Sequence, residues 1–135
     1  IDFIEFASLG NAVDWGDLAE VKKHMAGASN FTRGLGMGGR TPSLLNVIES
    51  YSLQSLGDAV NFGDLSAARF YNMGISSLRR GMSGGGYVDS SAGLNIIEYV
   101  EFASAGNMTD FGDLTAARYR SASFSNGHGG LEARP

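Results

Sequence analysis

Phe62-Gly63-Asp64-Leu65 restates Trp15-Gly16-Asp17-Leu18, and Phe111-Gly112-Asp113-Leu114 restates it once more, at steps of 47 and 49 residues. A period near fifty, carried by aromatic and β-branched residues, marks one supersecondary unit used repeatedly, each copy burying a face on the next.

Set in register from Ile1, Ile48 and Ile97, the copies align over 39 positions without a gap, and eight positions are identical in all three. These are the opening Ile, the turn residues Ser8/Ser55/Ser104 and Gly10/Gly57/Gly106, the Gly-Asp-Leu triplet, Ser29/Ser76/Ser125 and Gly34/Gly81/Gly130. The difference in period falls between copies, 8 residues over 40–47 against 10 over 87–96. Length variation confined to one spot is loop behaviour, because paired strands do not tolerate insertion.

Each copy reads as four short strands. The first, at 1–6, 48–53 and 97–102, alternates Ile, Val, Tyr and Phe with Asp, Glu or Ser. A Ser-x-Gly-Asx turn follows, where Gly supplies positive φ and Asn or Asp closes the turn. The aromatic-Gly-Asp-Leu segment forms a second, very short strand. A third of small residues covers 25–29, 72–76 and 121–125, and a glycine-dense fourth covers 34–39 and 81–86. Glycines inside a strand weaken it unless another backbone approaches closely, so the fourth strand is expected to be innermost.

Composition narrows the class. At 135 residues the chain is one domain's worth, and its 43% apolar content is ordinary for a soluble fold. Its 20 glycines recur at fixed repeat positions, so they belong to the architecture. No apolar run reaches the ~20 residues that span a bilayer, and membrane insertion is not expected. Cysteine is absent, which removes disulfides, thiolate metal ligation and thiol catalysis. Net charge is −4 and the ten Lys and Arg residues are dispersed along the sequence, which argues against a nucleic-acid partner. A chain opening on Ile1, inside a strand, reads as a piece of a longer polypeptide.

Read from Ala68-Arg69 through Arg80-Gly81-Met82-Ser83-Gly84-Gly85-Gly86-Tyr87, Asn95-Ile96-Ile97-Glu98-Tyr99 and Asp110-Phe111-Gly112-Asp113-Leu114, one unit resembles the kelch repeat. Gly38-Gly39, Asn46-Val47-Ile48-Glu49 and Trp15 match in the first copy, while Arg40 replaces the aromatic after Gly39 and Ser50 stands where Tyr99 does. The resemblance implies a β-propeller of four-stranded antiparallel blades. The implied single domain, 1–135, comprises repeats 1–47, 48–96 and 97–135, with blades at 19–65 and 66–114 and complementary terminal pieces at 1–18 and 115–135. More narrowly, 10–18, 106–118 and Ser125-Asn126-Gly127-His128-Gly129-Gly130-Leu131 are similar to kelch-like repeats of large virion-associated proteins of tailed, especially marine, phages.

The candidate sites are few. Asp14 and Asp17, Asn61 and Asp64, Asp110 and Asp113 form a repeated acidic pair; the invariant Asp reads as a turn cap, and calcium as the lesser alternative. His24 and His128 sit at non-equivalent repeat positions, His24 aligning with Tyr71 and Arg120, and neither has a triad partner or a metal shell at recognisable spacing. Arg33 and Arg80 read as donors to turn carbonyls between blades, and Trp15, Phe62 and Phe111 as packing between blades. The Gly34 and Gly36 strings lack the following helix of a phosphate loop. No residue is therefore assigned a catalytic, cofactor or metal role.

The resulting expectation is a non-enzymatic structural or receptor-binding module of a phage virion, associated with a tail or tail fibre. A secreted or cell-surface bacterial propeller that binds glycan or protein is the alternative. Expected partners are copies of the chain itself, other virion proteins and a host-surface glycan. Three blades are too few to close a ring, so a homo-oligomer or a longer parent chain is expected to complete it.

Overall fold

The computed structural model describes residues 1–89 and 93–125. The chain is all-β: among the described residues there is no helix, and hence none long and apolar enough to cross a membrane. The strands are β1 (Asp2–Phe3), β2 (Val13–Asp14), β3 (Ala26–Ser29), β4 (Arg33–Met37), β5 (Arg40–Thr41), β6 (Ser43–Leu44), β7 (Val47–Ser52), β8 (Val60–Asp64), β9 (Met73–Ser76), β10 (Arg80–Gly84), β11 (Leu94–Glu101) and β12 (Thr109–Arg118). They form two four-stranded antiparallel sheets, ordered β3-β4-β7-β8 and β9-β10-β11-β12, and two-stranded pairs β1-β2 and β5-β6; none closes into a barrel. The first large sheet spans 26–64; the second runs to Arg118, because Leu94 pairs with Arg118.

Both large sheets carry the same irregularity. Ile48 faces Gly63 but Glu49 faces Asn61, so Phe62 is an extra residue; Ile97 faces Gly112 and Glu98 faces Asp110, so Phe111 is extra. A β-bulge of this kind bends the strand and re-aims a side chain. In the first sheet it drives Phe62 into the core, leaving it 3% exposed.

The invariant glycine after the aromatic also makes a joint. Gly63 has φ 157°, and a Cβ on it would lie 1.9 Å from the Gly106 carbonyl oxygen. Around that contact Gly106 N donates to Phe62 O at 2.7 Å, Met108 N to Asp64 O at 2.8 Å, and Asp64 N to Asn107 Oδ1 at 3.1 Å. The preceding copies build the same joint: Gly57 N donates to Trp15 O at 3.0 Å, Ala59 N to Asp17 O at 2.8 Å, and Asp17 N to Asp58 Oδ1 at 2.9 Å. Two identities of the repeat, the glycine of Gly-Asp-Leu and that of Ser-x-Gly, are thus halves of one contact.

The core lies between the sheets, where Ala28, Leu35, Ile48 and Phe62 meet Val100, Phe102 and Met108. Several sequence expectations change here. The strand nearest the neighbouring sheet is the small-residue one: a Cβ on Gly74 of β9 would stand 2.1 Å from Gly27 O of β3. The glycine-dense β4 and β10 lie second, and their glycines make room for side chains, Gly34 for the Tyr51 ring and Gly81 for Leu35 and Phe102. The expected strand at 121–125 does not form. That segment is tethered to β9 through hydroxyls, Ser123 Oγ to Gly74 O at 2.7 Å and Ser125 Oγ to Ser76 O at 2.6 Å. The expected strand 1–6 shortens to Asp2–Phe3, and the loop at 40–47 holds the hairpin β5-β6.

Candidate functional site

Repeat positions that the sequence reading passed over hold the buried charges. Lys22 Nζ lies 2.9 Å from Glu49 Oε2, out of alignment for a hydrogen bond, with both side chains inaccessible. One repeat later the Arg69 guanidinium pairs with Glu98, and it also donates to Ser83 Oγ at 3.2 Å. Burial lowers the Arg69 pKa, and the Glu98 charge works against that shift. The basic residue precedes the first strand of each large sheet and the acid sits on the third, so the pair pins the incoming chain to its own sheet. The signal was in the alignment: Lys22, Arg69 and Arg118 share one position, and Asp2, Glu49 and Glu98 another.

Two positions along from Lys22, His24, Tyr71 and Arg120 all adopt left-handed backbone, with φ of 62°, 56° and 57°. Non-glycine residues take that conformation at a cost and persist there when the surroundings over-determine it. Here they form a ladder, Tyr71 N donating to His24 O and Arg120 N to Tyr71 O, each at 3.0 Å. The His24 and Tyr71 rings lie 4.3 Å apart, and the Arg120 guanidinium lies over the same Tyr71 ring at 4.4 Å. The repeat keeps the backbone and changes the side chain.

The same holds next to the ladder. Lys23 and Arg40 are bridged, Lys23 N to Arg40 O at 3.1 Å and Arg40 N to Lys23 O at 2.9 Å. Phe70 and Tyr87 make the equivalent bridge one repeat on, with their rings 5.4 Å apart edge to face. One backbone arrangement therefore carries two cations in one unit and two aromatic rings in the next. Lys23, His24, Arg40, Thr41, Phe70 and Tyr71 line an open groove of about 630 Å³. Lysine and arginine residues dispersed in sequence are gathered here by the fold.

The residues singled out from sequence scatter. Arg33 donates through Nη1 to Phe102 O in the neighbouring sheet and lies over Phe62 at 5.1 Å, the carbonyl contact expected of it. Arg80 differs: it pairs with Glu101 on its own sheet at 2.7 Å and stacks on Tyr99 at 4.3 Å. The Glu101 hydrogen bond raises its pKa. Phe62 is buried, Trp15 is half-buried with Nε1 donating to Ser52 O at 2.9 Å, and Phe111 is exposed against Tyr99. The invariant Asp does not cap its turn: among the described residues, Asp17 and Asp64 carboxylates accept no hydrogen bond, and Asp58 and Asn107 of the next copy supply the oxygen instead. Among the described residues, no cluster of three His, Asp or Glu side chains could hold an ion. Gly34 and Gly36 are buried in β4, and His128 lies outside the described residues.

No protein-family model matches the chain, and neither does any curated protein.

Proposed function

We propose that the chain is a non-enzymatic structural or receptor-binding module, built as a kelch-like β-propeller and carried at the tail or tail fibre of a phage virion. The observation that carries this reading is a division of labour within the repeat. Positions shared by the copies make the joint between units, whereas side chains that break the repeat (Lys23, His24 and Arg40) gather in one exposed groove. A binding scaffold is organised in this way, with fixed architecture beneath variable contacts. Two consecutive four-stranded meanders are also the geometry a propeller blade requires.

In this reading the partners are further copies of the chain, other virion proteins and a host-surface glycan, and the location is virion or extracellular. Mass spectrometry of purified particles tests it: peptides of this chain should appear in particles at structural stoichiometry. Recovery only from a bacterial envelope or secreted fraction would overturn the virion assignment.

A further inference from the structure

We infer that the groove beside Lys23 and Arg40 binds an acidic saccharide, its carboxylate or sulfate held by these two cations and a sugar ring set against exposed Val21 and Pro42. This rests on the reading of the chain as a binding module and names the ligand class of that module.

The argument starts from a local cost. Lys23 and Arg40 exchange both main-chain hydrogen bonds, so their side chains leave the same face of the bridge, side by side. Like charges directly opposite each other are destabilising. The neighbouring unit shows that the backbone does not require charge there, since Phe70 and Tyr87 fill the same two places with favourable edge-to-face rings. Nor does the protein neutralise the pair: among the described residues the ion pairs are Lys22–Glu49, Arg69–Glu98 and Arg80–Glu101. Lys22, although it adjoins the groove, is turned inward to Glu49. Lys23 is exposed, half-buried Arg40 donates through Nε to Pro42 O at 3.2 Å with its guanidinium 5.6 Å from the Phe70 ring, His24 lies beside them, and among the described residues the lining holds no carboxylate. In a chain of net charge −4 this is a local reversal of sign, and it draws an anion.

The rest of the lining selects among anions. Exposed Val21 and Pro42 give the groove an apolar side, while Phe70 is buried at its floor and the Tyr71 ring is flanked by His24 and Arg120; the Thr41 and Tyr71 hydroxyls add hydrogen-bonding groups. Apolar walls with a few placed polar groups suit a ligand that alternates C–H faces with hydroxyls. An extended acidic peptide fits less well. It would add as a strand to a free edge, but Arg40 N–H and C=O are both used by Lys23, and β5 is already paired to β6.

The test uses the full chain in low-salt buffer with four probes: polygalacturonate oligomers, neutral dextran oligomers, polyglutamate and inorganic sulfate. Calorimetry should show polygalacturonate binding that weakens as salt rises, little dextran binding, and weaker binding of polyglutamate and sulfate. The decisive variant is Lys23→Phe/Arg40→Tyr, which installs the pair already used one repeat on. It should melt no lower than the parent and bind polygalacturonate at least about tenfold more weakly. Arg79→Gln, an exposed cation away from the groove, should bind as the parent does. Polyglutamate binding equal to polygalacturonate would reassign the groove to acidic peptides, and sulfate binding equal to polygalacturonate would reduce it to an anion trap. Undiminished binding by the folded double variant would remove the site. If no saccharide binds while the chain is still found in particles, this inference fails and the module reading stands.

Discussion

Gly63 and the Gly106 carbonyl oxygen are so close that a methyl group on the Gly63 Cα would stand 1.9 Å from that oxygen. Neither backbone can yield easily, because the three hydrogen bonds of the joint hold both strands in place. Gly63→Ala should therefore cost at least ~3 kcal/mol, from the clash together with an unfavourable φ. Urea denaturation would measure it, and a loss under ~1 kcal/mol would mean the joint is loose.

Leu65 is 3% exposed, whereas its equivalents Leu18 and Leu114 are half-buried. Truncating Leu65 to Ala should cost ~2–5 kcal/mol, and the same change at Leu18 or Leu114 well under half of that. Equal losses at all three would show that the outer leucines are covered as well.

The capping oxygen belongs to the copy downstream. Asp58→Ala removes the acceptor for Asp17 N and should cost ~1 kcal/mol. Asp64→Ala, at an invariant position, removes no carboxylate hydrogen bond to the described residues and should fall within ~0.5 kcal/mol of the parent. Thermal melts of the two variants side by side decide the assignment.

These first variants also show how far the sequence could be read. The period, the β class and the four strands of each large sheet were legible from Phe-Gly-Asp-Leu and its surroundings, because hydrophobic alternation and turn residues are local signals, whereas the third copy's strand at 121–125 did not form. What the motif could not convey was which unit uses each residue. The Asp17 and Asp64 positions recur for their backbone, and the bonding side chain, Asp58 or Asn107, lies 41 or 43 residues further on. The same limit hid the groove. Arg40 was visible as a departure from the repeat and His24 as a non-repeated residue, but only the cross-strand bridge to Lys23 brings them together. Likewise the Lys22–Glu49 pair joins residues that no local pattern connects.

Burial raises the Tyr51 phenol above its usual 10.0. The fold thus favours the protonated phenol more than the unfolded chain does. This contribution to stability is complete below about pH 10 and is lost as pH rises through the folded-state value. Tyr51→Phe should show a shallower alkaline decline in stability than the parent; identical declines would place the phenol in water.

Arg118 and Asp2 hold the repeat positions that Arg69 of the second copy and Glu98 of the third pair, and both are exposed. Phe6 and Leu9 are fully exposed near Asp2 in sequence, and Phe124 is 95% exposed near Arg118. Under the proposed assembly from copies of the chain, the Arg118 of one copy meets the Asp2 of another. Light scattering at micromolar concentration should then report a dimer. Arg118→Glu should weaken it, and adding Asp2→Arg should restore it. A well-folded monomer under these conditions would rule that assembly out.

The joint between units is made of a glycine, an aspartate backbone and an Asx side chain, and none of these reaches the groove. That joint and the Lys23–Arg40 pair are therefore separate parts of one molecule. The side chains at 23 and 40 could be rewritten without touching that joint. The pairing of Lys23 with Arg40 beside that of Phe70 with Tyr87 is such a rewriting already written into the chain. Under the proposed binding role, such a scaffold would let recognition diversify by small steps on an unchanged backbone.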